Sequence, residues 1–229
     1  MDDFKYVEEC LMAAGGGDGK FQKLNIFIIM VSTAGLQGMF VNAFPFYSVT
    51  PFLLCKENLD DENEEWTRCT REQACGEDDS DFNTFKVDYS HPETITNWVT
   101  DLGLLCDPNF KRNISFFGFS LLLGFFTGSL FVTPLLDIHG RRIVNIWSTI
   151  CMIISLTICF STTNYWVVLL SIFLTAVAMV ARYSLAMLYC QEFTTFEFKS
   201  HIGALYLAMM AFANFSISIV FQLCQSMRF

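Results

Sequence analysis

A chain of 229 residues that is 53% hydrophobic and only 16% charged, with 25 phenylalanines and a mean hydropathy of +0.41, is too apolar for an ordinary soluble domain. Its formal net charge of −9 has the wrong sign for a nucleic-acid surface, so no nucleic-acid partner is expected. Fifteen acidic and six basic residues between Ser48 and Arg112 account for that imbalance, and the rest of the chain is neutral.

Residues 1–23 are polar and carry five acidic residues, unlike a cleaved signal peptide or an Arg-rich presequence. Within them "DDFKYVEECLMAA" (2–14) spaces Phe4, Val7 and Leu11 on one helical face. Asp2 and Asp3 suit a helix start and "GGGDG" (Gly15 to Gly19) its end. The region reads as a cytoplasmic amphipathic N-terminus lying against the membrane or the bundle.

Five apolar runs follow: Leu24 to Tyr47, Asn113 to Leu136, Ile143 to Ser161, Tyr165 to Met187 and Ile202 to Leu223. Each is long enough to cross roughly 30 Å of hydrocarbon at about 1.5 Å per helical residue. In the first (residues 24–47), Gly35 and Gly38 allow close helix packing, while Gln37 and Asn42 must face protein or a water-filled cavity. The acidic loop 48–112 holds four cysteines, Cys55, Cys69, Cys75 and Cys106, for which three pairings are open. Residues 113–229 carry transmembrane helices 2 to 5, joined by a charged turn (137–142), by "STTN" (Ser161 to Asn164) and by "QEFTTFEFKSH" (Gln191 to His201). Arg141 and Arg142 mark the charged turn as cytoplasmic. That orientation puts the cysteine loop outside the cell or in a lumen, where disulfides form. The other cysteines lie in or beside spans and read as packing residues. The sequons at Asn113 and Asn214 abut or lie inside a span and are predicted to stay unglycosylated.

The charged turn lies in "TPLLDIHGRR" (133–142). Gly140 permits a sharp reversal. A lone charge at a helix centre in hydrocarbon costs ~2.5–3.5 kcal/mol, and less near the interface, so Asp137 is expected to find a partner among Arg141, Arg142 and Arg182. Headgroup anchoring is the alternative role for the two adjacent arginines. No enzyme is expected: His91, His139 and His201 are scattered, and no HExxH, GxSxG or P-loop pattern occurs. The loop cysteines lack paired C-x-x-C spacing, so neither metal nor cofactor is expected.

Several motifs, in order, resemble the organic cation/anion transporter family of the major facilitator superfamily. "GDGKFQ" precedes the first span, and "FYSVTPFLLC" ends it with Pro51 and Cys55. "WVTDLGLLCD" is similar to that family's V-T-E-W-x-L-V-C segment through Val99, Thr100, Leu104 and Cys106. "LLDIHGRR" is similar to the signature G-x-L-x-D-R-x-G-R-R through Leu135, Asp137, Gly140, Arg141 and Arg142. Thr133, Pro134 and Ile138 depart from it, standing at its leading Gly, the next position and its first Arg.

The resemblance implies an all-α helical bundle, here the N-terminal part with about five transmembrane helices, working by alternating access. It implies a gate or charge relay of Asp137, Gly140, Arg141, Arg142, Arg182 and Glu192, with Asp137 capping a helix of a second half. It implies a substrate site for a small organic ion to which Gln37, Asn42, Phe44, Tyr183 and Asn214 contribute. Such families have twelve spans, so a second transporter half or other membrane subunits are expected as partners besides the lipid bilayer. The alternative is a transport-inactive structural subunit of a larger membrane complex. A plasma-membrane location is expected, with an organelle membrane as the alternative.

Overall fold

The structure, a computed structural model, describes residues 9, 10, 13, 20–56, 65–76, 84–91, 94, 96–192, 194 and 196–226. Most of the segment expected to be amphipathic (2–14), its glycine-rich end and most of the loop's acidic residues lie outside the described residues. Five helices are long and apolar enough to cross a bilayer: Lys23–Ser48, Phe110–His139, Arg141–Ser161, Tyr165–Glu192 and His201–Val220, hereafter spans 1 to 5. A helix satisfies its own backbone and continues until something breaks it, so the helices outlast the apolar runs. Span 2 starts at Phe110 rather than Asn113 and runs on to His139, and span 4 reaches Glu192 rather than Met187. The expected link 191–201 is largely helical, because span 4 runs to Glu192 and the last helix already begins at Phe196. Thr194 donates back to the Cys190 carbonyl at 2.7 Å and finishes span 4.

Two spans are locally widened into π turns, Val31–Gly35 in span 1 and Gly128–Val132 in span 2. The second immediately precedes the segment Thr133–His139, which carries Pro134 near its start. Proline has no N–H, and its ring crowds the carbonyl four residues back, so the helix widens there instead of breaking.

Span 4 is the hub, packed on span 2 and on span 3. Along the seam with span 2, the Tyr165 hydroxyl donates to the Asn113 carbonyl (3.0 Å) and the Ser120 hydroxyl to the Leu169 carbonyl (2.7 Å). Further along, a Cβ added at Gly124 would lie 2.6 Å from both the Ala176 Cβ and the Phe173 carbonyl oxygen. At Gly128 it would lie 3.1 Å from the Val180 Cβ. Close packing was expected at Gly35 and Gly38 of span 1, but the tightest approach is at this G-x-x-x-G pair of span 2, whose spacing is itself the signal. Gly38 does meet span 5, with Met210 Sδ 2.9 Å from its notional Cβ, whereas Gly35 faces only Val31 of its own helix. Thr133 and Pro134, at the signature's altered start, are exposed. Span 3 buries Ser148, Met152, Ser155 and Cys159, a four–three–four spacing that forms one face.

The segment between spans 1 and 2 contains a three-stranded antiparallel sheet that sequence reading did not foresee. Its strands are β1 (Leu53–Lys56), β2 (Thr67–Cys69) and β3 (Thr84–Val87), in the order β2-β1-β3. The strands are three or four residues long, too short for an alternating pattern to stand out. Of the three open pairings, the structure takes Cys55–Cys69, which joins adjacent strands, and Cys75–Cys106, which ties the sheet side to the entry of span 2. Arg71 adds to the second tie, donating to the Leu105 and Asp107 carbonyls and lying 4.3 Å over the Phe110 ring. Trp98 seats the segment on the bundle: it is 6% exposed, stacked on Tyr47 at 4.7 Å and tilted against Phe117 at 5.4 Å between ring centroids. Asn97 caps the short helix Trp98–Asp101 and donates to the Val49 carbonyl.

At the opposite end of the bundle Gly140 turns span 2 into span 3 with φ +83° and ψ 143°. That region is close to one open essentially to glycine alone, at a cost of ~1–3 kcal/mol for other residues. Gly140→Ala is therefore expected to lower the melting temperature of the purified protein by several degrees. An unchanged melt would mean the turn relaxes freely.

Candidate functional site

Two features stand out, one at the Gly140 end and one deeper in the bundle. At the Gly140 end, Arg141 opens the helix of span 3 and Glu192 closes that of span 4, and their side chains form an ion pair. Each charge is misplaced with respect to its own helix, a cation at an N-terminus and an anion at a C-terminus, which costs about 0.3–1 kcal/mol apiece. The antiparallel packing of spans 3 and 4 brings the two ends together, so each offsets the other. With side chains 28% and 48% exposed, the pair is worth only ~0–1 kcal/mol. It suits a contact that breaks and re-forms better than a permanent clamp.

The partner expected for Asp137 is not there. Asp137 is exposed and makes no ion pair among the described residues, Arg141 goes to Glu192, and Arg142 is exposed. Arg182 is out of reach for a geometric reason: ten residues back from Glu192 along span 4 is about 15 Å of depth. Its guanidinium turns into the bundle, where Nη2 donates to the Ser32 carbonyl and Nη1 to Met152 Sδ, both at 3.3 Å. Its buried Nε–H has no acceptor among the described residues.

Arg182 lines a cavity of about 410 Å³ between spans 1, 3 and 4. The walls carry Asn25 and Ser32 of span 1, Asn145 and Thr149 of span 3, and Tyr189 of span 4. The π turn Val31–Gly35 brings in Ser32, whose hydroxyl donates to Ile29. Asn145 and Thr149 follow Arg141 at four-residue intervals and so lie on its face of span 3. That polar stripe on an apolar helix was the sequence signal for this site, and it was missed.

None of Gln37, Asn42, Phe44, Tyr183 and Asn214 lines this cavity. The Asn42 amide donates to the Gly38 carbonyl of its own helix at 2.7 Å. Phe44 packs against Phe40 and Trp98. Tyr183, next to Arg182 in sequence, meets Tyr206 of span 5 at 5.2 Å between ring centroids. Asn214 is exposed, and Gln37 is half-buried. No cluster of three metal-ligating side chains occurs among the described residues.

The sequence profile described as sugar (and other) transporter matches residues 71–226, running from the helix after β2 to the end of the last helix. No curated protein matches the chain.

Proposed function

We propose, from the premise that the chain belongs to the sugar (and other) transporter family, that it moves small organic ions across a bilayer by alternating access. As a member of that family with five apolar helices it is a multi-pass membrane transporter of the major facilitator type. The reading takes the chain as the N-terminal portion of the transport unit, working against a second half or other membrane subunits. Its Arg141–Arg142 turn faces the cytoplasm and its disulfide-bonded segment faces outward, by the bias of basic residues towards the inside. The plasma membrane is the location proposed. Gln37 and Tyr183, whose polar atoms make no hydrogen bond among the described residues, are the sequence-derived positions best able to serve a substrate.

The observation that carries the proposal is the Arg141–Glu192 pair. It links the ends of two spans through one half-exposed contact, beside an Asp137 whose carboxylate has no partner among the described residues. Such a contact can hold one conformation while leaving Asp137 ready for a partner across the gate.

The test is uptake of labelled benzoate and tetraethylammonium by cells expressing the full chain. Arg141→Glu or Glu192→Arg alone is expected to reduce uptake roughly tenfold or more, since each puts like charges in contact. The double exchange should restore most of it. Single variants with full uptake at normal surface abundance would rule out the latch. A folded, surface-exposed chain that carries neither ion when assembled with the membrane subunits that co-purify with it would favour the structural-subunit reading.

A further inference from the structure

We infer that the cavity at Arg182 is a binding site for a monovalent organic anion, a carboxylate with a compact apolar body. The inference rests on the transport reading for its physiological use, though the site is argued from its own geometry. A charged side chain this far inside a span is costly and ordinarily has an opposite charge beside it. Here no lining residue is acidic, and no carboxylate pairs with Arg182 among the described residues. The guanidinium is held by the weakest of acceptors, a thioether sulfur and a carbonyl oxygen 3.3 Å away. Neither neutralises its charge, so the cavity presents a held but uncompensated cation to whatever enters.

The shape and lining narrow the ligand. Guanidinium is a planar fork that matches a carboxylate with two parallel hydrogen bonds. One such group balances one negative charge, which favours a monovalent ligand over a phosphate or a dicarboxylate. Asn145 of span 3 stands across the same space and its amide can donate to a remaining carboxylate lone pair, whereas the Thr149 hydroxyl beside it donates to the Asn145 carbonyl at 2.8 Å. Ile26, Ile29, Leu185 and Ala186 supply the apolar wall that an inorganic anion would not use. A volume of about 410 Å³ admits a single-ring acid with room to spare and lies towards the small end of the range for organic ligands. Arg182 itself lies about 15 Å from the Glu192 end of span 4, close to the middle of a roughly 30 Å slab, while Tyr189 and Cys190 carry the cavity outward towards that end, so the charge stands at the inner end of the cavity. An organic cation would meet an unpaired guanidinium with no carboxylate to receive it, so the cavity discriminates by sign.

The experiment is equilibrium binding of labelled benzoate to the purified full chain in lipid nanodiscs. Neutral benzamide and cationic tetraethylammonium serve as competitors. Benzoate should bind saturably and be displaced by neither. Arg182→Gln should weaken it roughly tenfold or more, the loss expected for a charge-assisted contact, and Arg182→Lys should retain part of the affinity. If Arg182→Gln does not fold, Asn145→Ala, on a different helix of the same cavity, carries the test and should also weaken binding. The inference is overturned if benzoate does not bind the folded protein, if either competitor displaces it equally well, or if the variants bind like the parent. Benzoate binding without uptake of either ion by the chain assembled with its co-purifying membrane subunits would sink the transport reading and leave the site. Uptake that Arg182→Gln leaves unchanged would sink the site and leave transport.

Discussion

Gly124→Val is expected to prevent assembly of spans 2 and 4. Its Cβ would begin 2.6 Å from the Phe173 carbonyl oxygen, which is backbone and cannot rotate away, and 2.6 Å from the Ala176 Cβ. Overpacking a tight contact costs ~1–3 kcal/mol when side chains can yield, and more when they cannot. Gly124→Ala already imposes that Cβ and should cost at the upper end of the range. Gly128→Ala, whose contacts start at 3.1 Å, should cost distinctly less. Gly118→Ala, on the same span with nothing within 4 Å, should be nearly neutral. Melting temperatures read by size-exclusion of the detergent-solubilised protein would rank the three. Equal melts for the alanine variants at 118 and 124 would refute the close approach of these spans.

Replacing both Cys75 and Cys106 with serine is expected to detach the segment between spans 1 and 2 from the bundle. Closing that separation of 31 residues in the unfolded chain is worth about 3.7 kcal/mol of loop entropy, against about 3.0 kcal/mol for the separation of 14 at Cys55–Cys69. The larger bridge also ties the sheet side to the start of span 2, whereas the smaller joins neighbouring strands that pair anyway. Protease nicking near Arg71 should rise sharply in the Cys75/Cys106 variant and modestly in the Cys55/Cys69 variant. The helical circular-dichroism signal should persist in both. If all four cysteines of the parent protein react with an alkylating agent without reductant, the bridges are absent and the prediction fails.

Charge partners were the least legible part of this protein in its sequence. Asp137, Arg141 and Arg142 share one short turn, and neighbourhood along the chain suggested that they pair. The pair that forms joins Arg141 to Glu192, 51 positions away, because spans 3 and 4 run antiparallel and end side by side. Arg182 had looked like a member of the same border cluster. The rise per residue puts it well inside the bundle, and packing against spans 1 and 3 surrounds it with Ser32, Asn145 and Thr149.

The sequence by itself determined the five spans, the reversal at Gly140, the cysteine-bearing segment and the major facilitator type of the transporter, though not its branch. Each follows from local properties: the hydropathy of a run, the steric freedom of a residue without Cβ, and motifs only a few residues long. Only the tertiary structure decided which cysteines pair, which carboxylate takes Arg141, that Gly124 and Gly128 set the approach of spans 2 and 4, and that Arg182 faces a cavity. Those outcomes depend on distances between atoms far apart along the chain. Such distances exist only once the helices have packed, since hydrocarbon drives every apolar helix into the bilayer alike and leaves the choice of neighbour to shape and residual polarity.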